Sequence, residues 1–540
     1  MRKCKKRVYP YIDIETKNKI LNKLGENGAS ISGNNPWKVK TNQYGIVLQG
    51  SWSEQKEELE VVILKRGIVR YKKILKRLDK LIGKYVSSNL LTLGNNLKLE
   101  TNSNSDFSII DIHTHLFNLK YLPIWGVLAS RGVPNKTSRF IEFILLRLTG
   151  ESFNKIKNRK TFFDYGDLIY PFEFARLNDH DLIERVIKFA ESDPEVLRNE
   201  LLLEAIEEHE ELKRNKKDAD DISSEVYRKN VLRWIVRKAL AGFAYLRWFL
   251  FMTMREEKLM KSMIKNYPQV KTFVFHMMDT EHFFPGDVDF SAKCHFAFET
   301  QIENMKKLMK QYPDKLKGFV AYNPKRDKGI EVVENALKDG FTGIKFYPPL
   351  GYNPSNSIEL FQYCAKNKIP VFTHCTPTGF EAKKGAGSNA NPNNWEIVLK
   401  KVNDLKLCLG HAGGVKGWFD TFSPENIFPE SAYAKKVVEL CTTYENVYTE
   451  VGFLDDIEKP EQKYEFAKRL QYLFRDKSVP FNLSTKIMYG SDWHVLMNHS
   501  GGLFKNYALE FLMLLDRNEF NEFNNLKEHF FRLNAEKYLS

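Results

Sequence analysis

Cysteine is scarce and scattered in this 540-residue chain: Cys4, Cys294, Cys364, Cys375, Cys408 and Cys441 include no Cys-x-x-Cys pair. That argues against a disulfide framework and a cysteine-built zinc site. It fits a reducing compartment, so a cytoplasmic location is expected. The sequence also lacks an uninterrupted apolar run of the ~20 residues that a membrane span needs. Its most apolar stretch, Val231–Met254, is broken by Arg233, Arg237, Lys238 and Arg247, and reads as a buried helix. The basic start, Met1–Pro10, is followed by no apolar segment, so no signal peptide is expected. Acidic residues are thin at one end. Residues 1–100 hold 21 Lys or Arg against 9 Asp or Glu, so +12 of the net charge of +14 sits there. A basic partner surface would belong to that region and not to the rest of the chain.

What is present exceeds one ordinary domain and suits an α/β barrel of ~250 residues with additions. Residues 11–26 can form a short helix, with Ile20, Leu21 and Leu24 on one side. Tyr44–Ser51 and Leu59–Arg66 alternate like the arms of a hairpin. Over Tyr71–Tyr85 the apolar residues fall at helical spacing, with Lys72, Lys73, Lys76, Arg77 and Lys80 opposite. A helix packed on its own domain with a solvated charged face is favoured there over a membrane or nucleic-acid surface. Ser87–Ser105 reads as a linker. Residues 1–105 are therefore expected to be a small, basic α/β accessory region, used for docking or for contacts in a homo-oligomer.

Residues 106–540 read as the barrel. Asp111-Ile-His-Thr-His115 ends the first apolar run, and period two puts His113 and His115 on one face. A long helical insertion, roughly 120–265, follows and is expected to cap the catalytic mouth. From Lys271 short apolar runs alternate with amphipathic segments. They are Thr272–Phe275, Lys317–Ala321, Gly343–Phe346, Pro370–Phe372, Lys406–Leu409, Val447–Glu450 and Lys486–Tyr489. With the first run they make eight, which fits parallel strands closed into a (β/α)8 TIM barrel. Polar residues recur where these runs end: His113 and His115, Lys345, His374, His411 and Asp492. In a barrel those ends converge, and one cation could sit among them. His276 ends the second run and His494 follows Asp492; each could line the pocket, though a residue so placed more often supports the ligands from behind or lies at the surface.

Asp111-Ile-His-Thr-His115, Gly343-Ile-Lys-Phe-Tyr347, Pro370-Val-Phe-Thr-His374, Leu409-Gly-His-Ala-Gly-Gly414 and Tyr489-Gly-Ser-Asp-Trp493 together resemble the amidohydrolase superfamily. Within it they are similar to the amidohydrolase-related branch of metal-dependent barrel enzymes. The resemblance covers about 107–540 apart from the insertion. It implies that His113, His115 and His374 bind a divalent metal, with Asp492 as a further ligand and the acid–base group. It implies that His411 binds a second metal or contacts substrate; a neutral His411 could polarise the attacked carbonyl or hold its oxyanion. Lys345 bridges two metals as a carbamate in binuclear relatives, and otherwise contacts substrate with Tyr347 and His276. Zinc, as one or two ions, suits these nitrogen and oxygen ligands; manganese and iron also fit. The expected activity is hydrolysis of an amide, lactam, lactone or ester in a small-molecule substrate. The alternatives are a non-oxidative decarboxylase and a non-catalytic binding barrel. Nucleic acid is not the expected partner.

Overall fold

The alternating residues near the start of the chain make an antiparallel sheet. The structure, a computed structural model, describes residues 5–9, 14–41, 46–53, 58–66, 74, 108–150, 177–209, 225–243, 246–281, 294–381, 385–498 and 503–540. The chain divides into two compact units, Met1–Phe107 and Ser108–Ser540. The first holds β1 (Lys5–Tyr9), helix α1 (Ile14–Glu26), β2 (Ala29–Ser32), β3 (Trp37–Thr41), β4 (Ile46–Ser53) and β5 (Glu58–Arg66). Strand order is β1-β5-β4-β3-β2. The hairpin pairs Trp52 with Leu59. Ile46, Leu48, Leu59, Val61 and Ile63 share one face and pack on Val39 and on Ile20 of α1. Apart from residue 74, the expected basic helix over 71–85 lies outside the described residues, as does the linker.

In the second unit the eight apolar runs become β6 (Ile109–Thr114), β7 (Val270–His276), β8 (Leu316–Tyr322), β9 (Gly343–Phe346), β10 (Val371–Thr373), β11 (Leu407–Leu409), β12 (Val447–Glu450) and β13 (Ile487–Met488). Each pairs in parallel with the next. The ring closes where the last strand meets the first. Ile112 N–H donates to Tyr489 O at 3.1 Å, and Asp492 N–H donates to His113 O at 2.7 Å. Helices cross between the strands, so the unit is a (β/α)8 TIM barrel. Its interior is filled by Ile112, Val274, Phe319, Phe372 and Tyr448, joined by Tyr538 of the last helix, Asn534–Leu539. Burying each such side chain contributes ~1.5–3 kcal/mol. Strands approach closely at Gly343, where an added Cβ would lie 2.5 Å from the Phe319 ring and 2.6 Å from Pro370 O.

The described residues of the insertion between β6 and β7 are mainly helical. Over Val231–Met254 the sequence predicts one buried helix, and the structure has two, Glu225–Leu240 and Leu246–Phe251. They separate at Gly242, whose φ of 74° lies in the left-handed region that ends helices. The break lets the second helix turn onto the barrel mouth, where the Phe251 ring meets Trp493 at 5.5 Å. Among the described residues no helix is long and apolar enough to cross a membrane. Where the insertion returns to the barrel, Glu256 is fully buried. It accepts from Tyr121 OH at 2.5 Å and from Asn118 Nδ2 at 3.3 Å. Burial pushes its carboxyl up to about 7, against those hydrogen bonds.

Two outcomes are expected. Gly343→Ala should lower stability by about 1–3 kcal/mol, read as a lower urea midpoint, because the backbone oxygen of Pro370 cannot move aside. The raised carboxyl of Glu256 means that the native state keeps a proton the unfolded chain has lost between pH 4.5 and about 7. Its contribution to stability therefore falls as pH rises through that window. Glu256→Gln should gain on the wild type between pH 5 and pH 8, and parallel urea midpoints across that range would refute this.

Candidate metal centre

The site residues stand at the C-terminal ends of the barrel strands because parallel strands all point the same way. His113 is in β6 and His115 just past it, Lys345 is in β9, and His374 follows β10. His411 and Asp492 follow β11 and β13 in left-handed backbone, with φ of 60° and 54°. Non-glycine residues there carry strain of about 1–3 kcal/mol, which the surrounding packing must offset. All six are buried.

The four imidazoles are committed on their outer sides. His113 Nδ1 faces Glu450 Oε1 at 3.0 Å, and His115 Nδ1 faces His276 O at 2.8 Å. His374 Nε2 faces Thr378 O at 2.7 Å, and His411 Nδ1 faces Gly452 O at 2.9 Å. A carbonyl oxygen only accepts, so His115, His374 and His411 each place a proton there; His113 does the same when Glu450, whose carboxyl burial pushes up to about 8, is ionised. The other nitrogen of each neutral ring is then bare. Burial holds His113, His374 and His411 below the usual imidazole range, so those rings stay neutral.

These bare nitrogens meet one another. His113 Nε2 and His115 Nε2 are 3.2 Å apart, and Asp492 Oδ1 lies 3.4 Å and 3.2 Å from them. His374 Nδ1 and His411 Nε2 are 2.9 Å apart, and the His411 ring is 4.9 Å from that of His113. Lone pairs crowded in this way, with no proton between them, repel unless a cation sits among them. The donor set therefore fits a divalent metal. His113, His115 and Asp492 form one group that could hold an ion; His374 stands outside it, next to His411.

The remaining predicted residues surround this group. Lys345 is buried, its Nζ meets no hydrogen-bond partner among the described residues, and it lies 4.2 Å from the centroid of Phe372. Burial pushes its amine down to about 8, against the pull of Asp492 and Glu450. The Tyr347 ring is 4.8 Å from that of His374, and its hydroxyl accepts from Phe380 N–H. The His276 ring packs against Phe372 at 4.1 Å and its Nε2 donates to Ile112 O.

Two acidic residues that are not among the predicted site residues stand beside the cluster. Glu450 accepts from His411 N–H at 2.6 Å and from Gly452 N–H as well as facing His113. It can group with His113 and His411 around an ion. With its oxygens already taken by N–H donors, we read it as the group that aims those rings. It ends the seventh apolar run, so the positional rule used for the other strands would have found it. Asp111 accepts from Ser491 N–H at 2.9 Å and Ser491 Oγ at 2.6 Å, stitching β6 to the loop after β13.

A family model described as "Amidohydrolase" matches residues 254–539. The chain belongs to the amidohydrolase family. Similar solved structures include an uncharacterised TIM-barrel protein from Bordetella bronchiseptica, with 16% identity and a TM-score of 0.36 over 53% of this chain and 83% of that one. A 5-carboxyvanillate decarboxylase from Novosphingobium aromaticivorans, solved with bound manganese, has 13% identity and a TM-score of 0.38 over 63% and 93%. A 2,6-dihydroxybenzoate decarboxylase from Rhizobium has 12% identity and a TM-score of 0.33 over 52% and 87%. No curated protein matches the chain.

If Glu450 aims the rings of this amidohydrolase, Glu450→Gln should weaken divalent-metal affinity by about 10–100-fold. Competition against a chelator would measure this, and an unchanged affinity would remove Glu450 from the centre.

Proposed function

We propose that this chain is a metal-dependent hydrolase acting on a C–N or C–O bond of a small molecule, such as an amide, lactam, lactone or ester. The observation that carries the reading is the cluster of bare imidazole nitrogens gathered with Asp492 at the barrel mouth. His113, His115, His374 and Asp492 would hold one ion, and Lys345 and His411 would join them only were a second ion bound. Zinc suits the donors, and Mn2+ or Fe2+ would also fit. A divalent cation bound there would supply Lewis acidity and lower the pKa of water from ~16 towards ~7.

Asp492 takes the proton of the attacking water and passes it to the leaving group. His411 offers a bare Nε2 in this tautomer, so it accepts or ligates and, while neutral, cannot donate to an oxyanion. The donor for the attacked carbonyl is then Lys345, whose buried Nζ has no other partner among the described residues. Tyr347 and His276 complete the substrate side. The 120–265 insertion serves as a cap, residues 1–105 as a docking or oligomer module, and the cytoplasm as the place of work.

The test is metal analysis of the purified chain, followed by a panel of lactones, esters, amides and aromatic carboxylic acids. Acid release that falls about 10²–10⁴-fold in Asp492→Asn supports the proposal. Release of CO2 without hydrolysis would make the protein a decarboxylase. A chain that binds no transition metal, and whose ligand binding survives His113→Ala, would be a binding barrel.

A further inference from the structure

His494 takes no step in the proposed hydrolysis, yet it is fully buried two residues past Asp492. Its ring centroid is 6.5 Å from that of His115. Trp248 of the insertion donates its indole N–H to His494 Nδ1 at 2.8 Å. An indole nitrogen only donates, so Nδ1 carries no proton and the ring must carry its one proton on Nε2. That Nε2 is buried and meets no hydrogen-bond partner among the described residues. A buried donor left unpaired is costly, and native structures keep few of them.

The arrangement is braced from several sides. The Trp248 ring contacts Phe380 at 5.8 Å, and Phe380 N–H donates to Tyr347 OH at 3.0 Å. Phe251 packs on the His494 ring at 5.6 Å. The insertion therefore meets the loop after β13 at this imidazole, and the loop after β10 backs Trp248.

We propose that His494, held as the Nε2–H tautomer by Trp248, positions the substrate by donating a hydrogen bond to a carboxylate or other anionic oxygen of a ligand at the metal centre. This rests on the metal-site reading above. A lone donor beside a cation selects ligands that carry acceptor oxygens, and a charge-assisted bond of this kind also fixes orientation. Trp248 is a positioning residue that acts through His494.

The test loads the full chain with Co2+ and titrates it with benzoate, followed by the visible absorption of the metal. The wild type should respond saturably. His494→Phe should weaken benzoate binding by roughly 10–100-fold, with Co2+ content unchanged. Trp248→Phe should weaken it in the same direction and by less, and the double variant should be no worse than His494→Phe. His494→Gln, which keeps a donor, should recover part of the loss. An unchanged benzoate affinity in a fully loaded His494→Phe would overturn the inference while leaving the metal centre standing. So would variants that lose Co2+ together with benzoate, or a wild type that binds Co2+ and ignores benzoate. A wild type that takes up no Co2+ would overturn the metal reading and this inference with it.

Discussion

The site depends on where four imidazoles put their protons. Three main-chain carbonyls and one carboxylate take the outer ring positions. Burial keeps His113, His374 and His411 from gaining a second proton. What remains is a set of lone pairs facing each other across a few ångströms, an arrangement that only a positive charge makes favourable. Aiming is done by backbone and by Glu450, so the geometry of the imidazole cluster is built into the barrel rather than left to flexible side chains.

That geometry exists because the barrel closes. His113 and Asp492 are far apart in the chain, and they become neighbours through the seam between β6 and β13. Asp111 and Ser491 reinforce the seam with buried hydrogen bonds. The motif that supplies two ring nitrogens thus also supplies the carboxylate that pins the last strand beside them. Folding and site assembly are one event here: a slipped seam would turn His113 and Asp492 away together.

The insertion reaches the candidate site. Its short helix Leu246–Phe251 brings Trp248 and Phe251 onto the loop after β13. At its base, Glu256, Tyr121, Asn118 and Asn304 form a buried polar network joining the insertion to the first barrel elements. A network of this kind ties the insertion to the barrel in one position, since each partner lost leaves another polar group unpaired.

Legible from the residues alone were the strands and the ends at which the candidate site lies. Apolar runs of strand length alternating with helical periods can bury both faces only as parallel strands, and parallel strands put their last residues at one mouth. His113, His115, Lys345, His374, His411 and Asp492 were legible for that reason, and Glu450 was legible by the same rule. Tertiary structure alone decided which nitrogen of each ring is bare, and therefore that neutral His411 accepts rather than donates. Those choices are made by acceptors such as Gly452 O and His276 O, whose positions no local pattern encodes. It also decided the break at Gly242 and the meeting of Trp248 with His494, since a hydrogen bond across 246 positions leaves no periodicity to read.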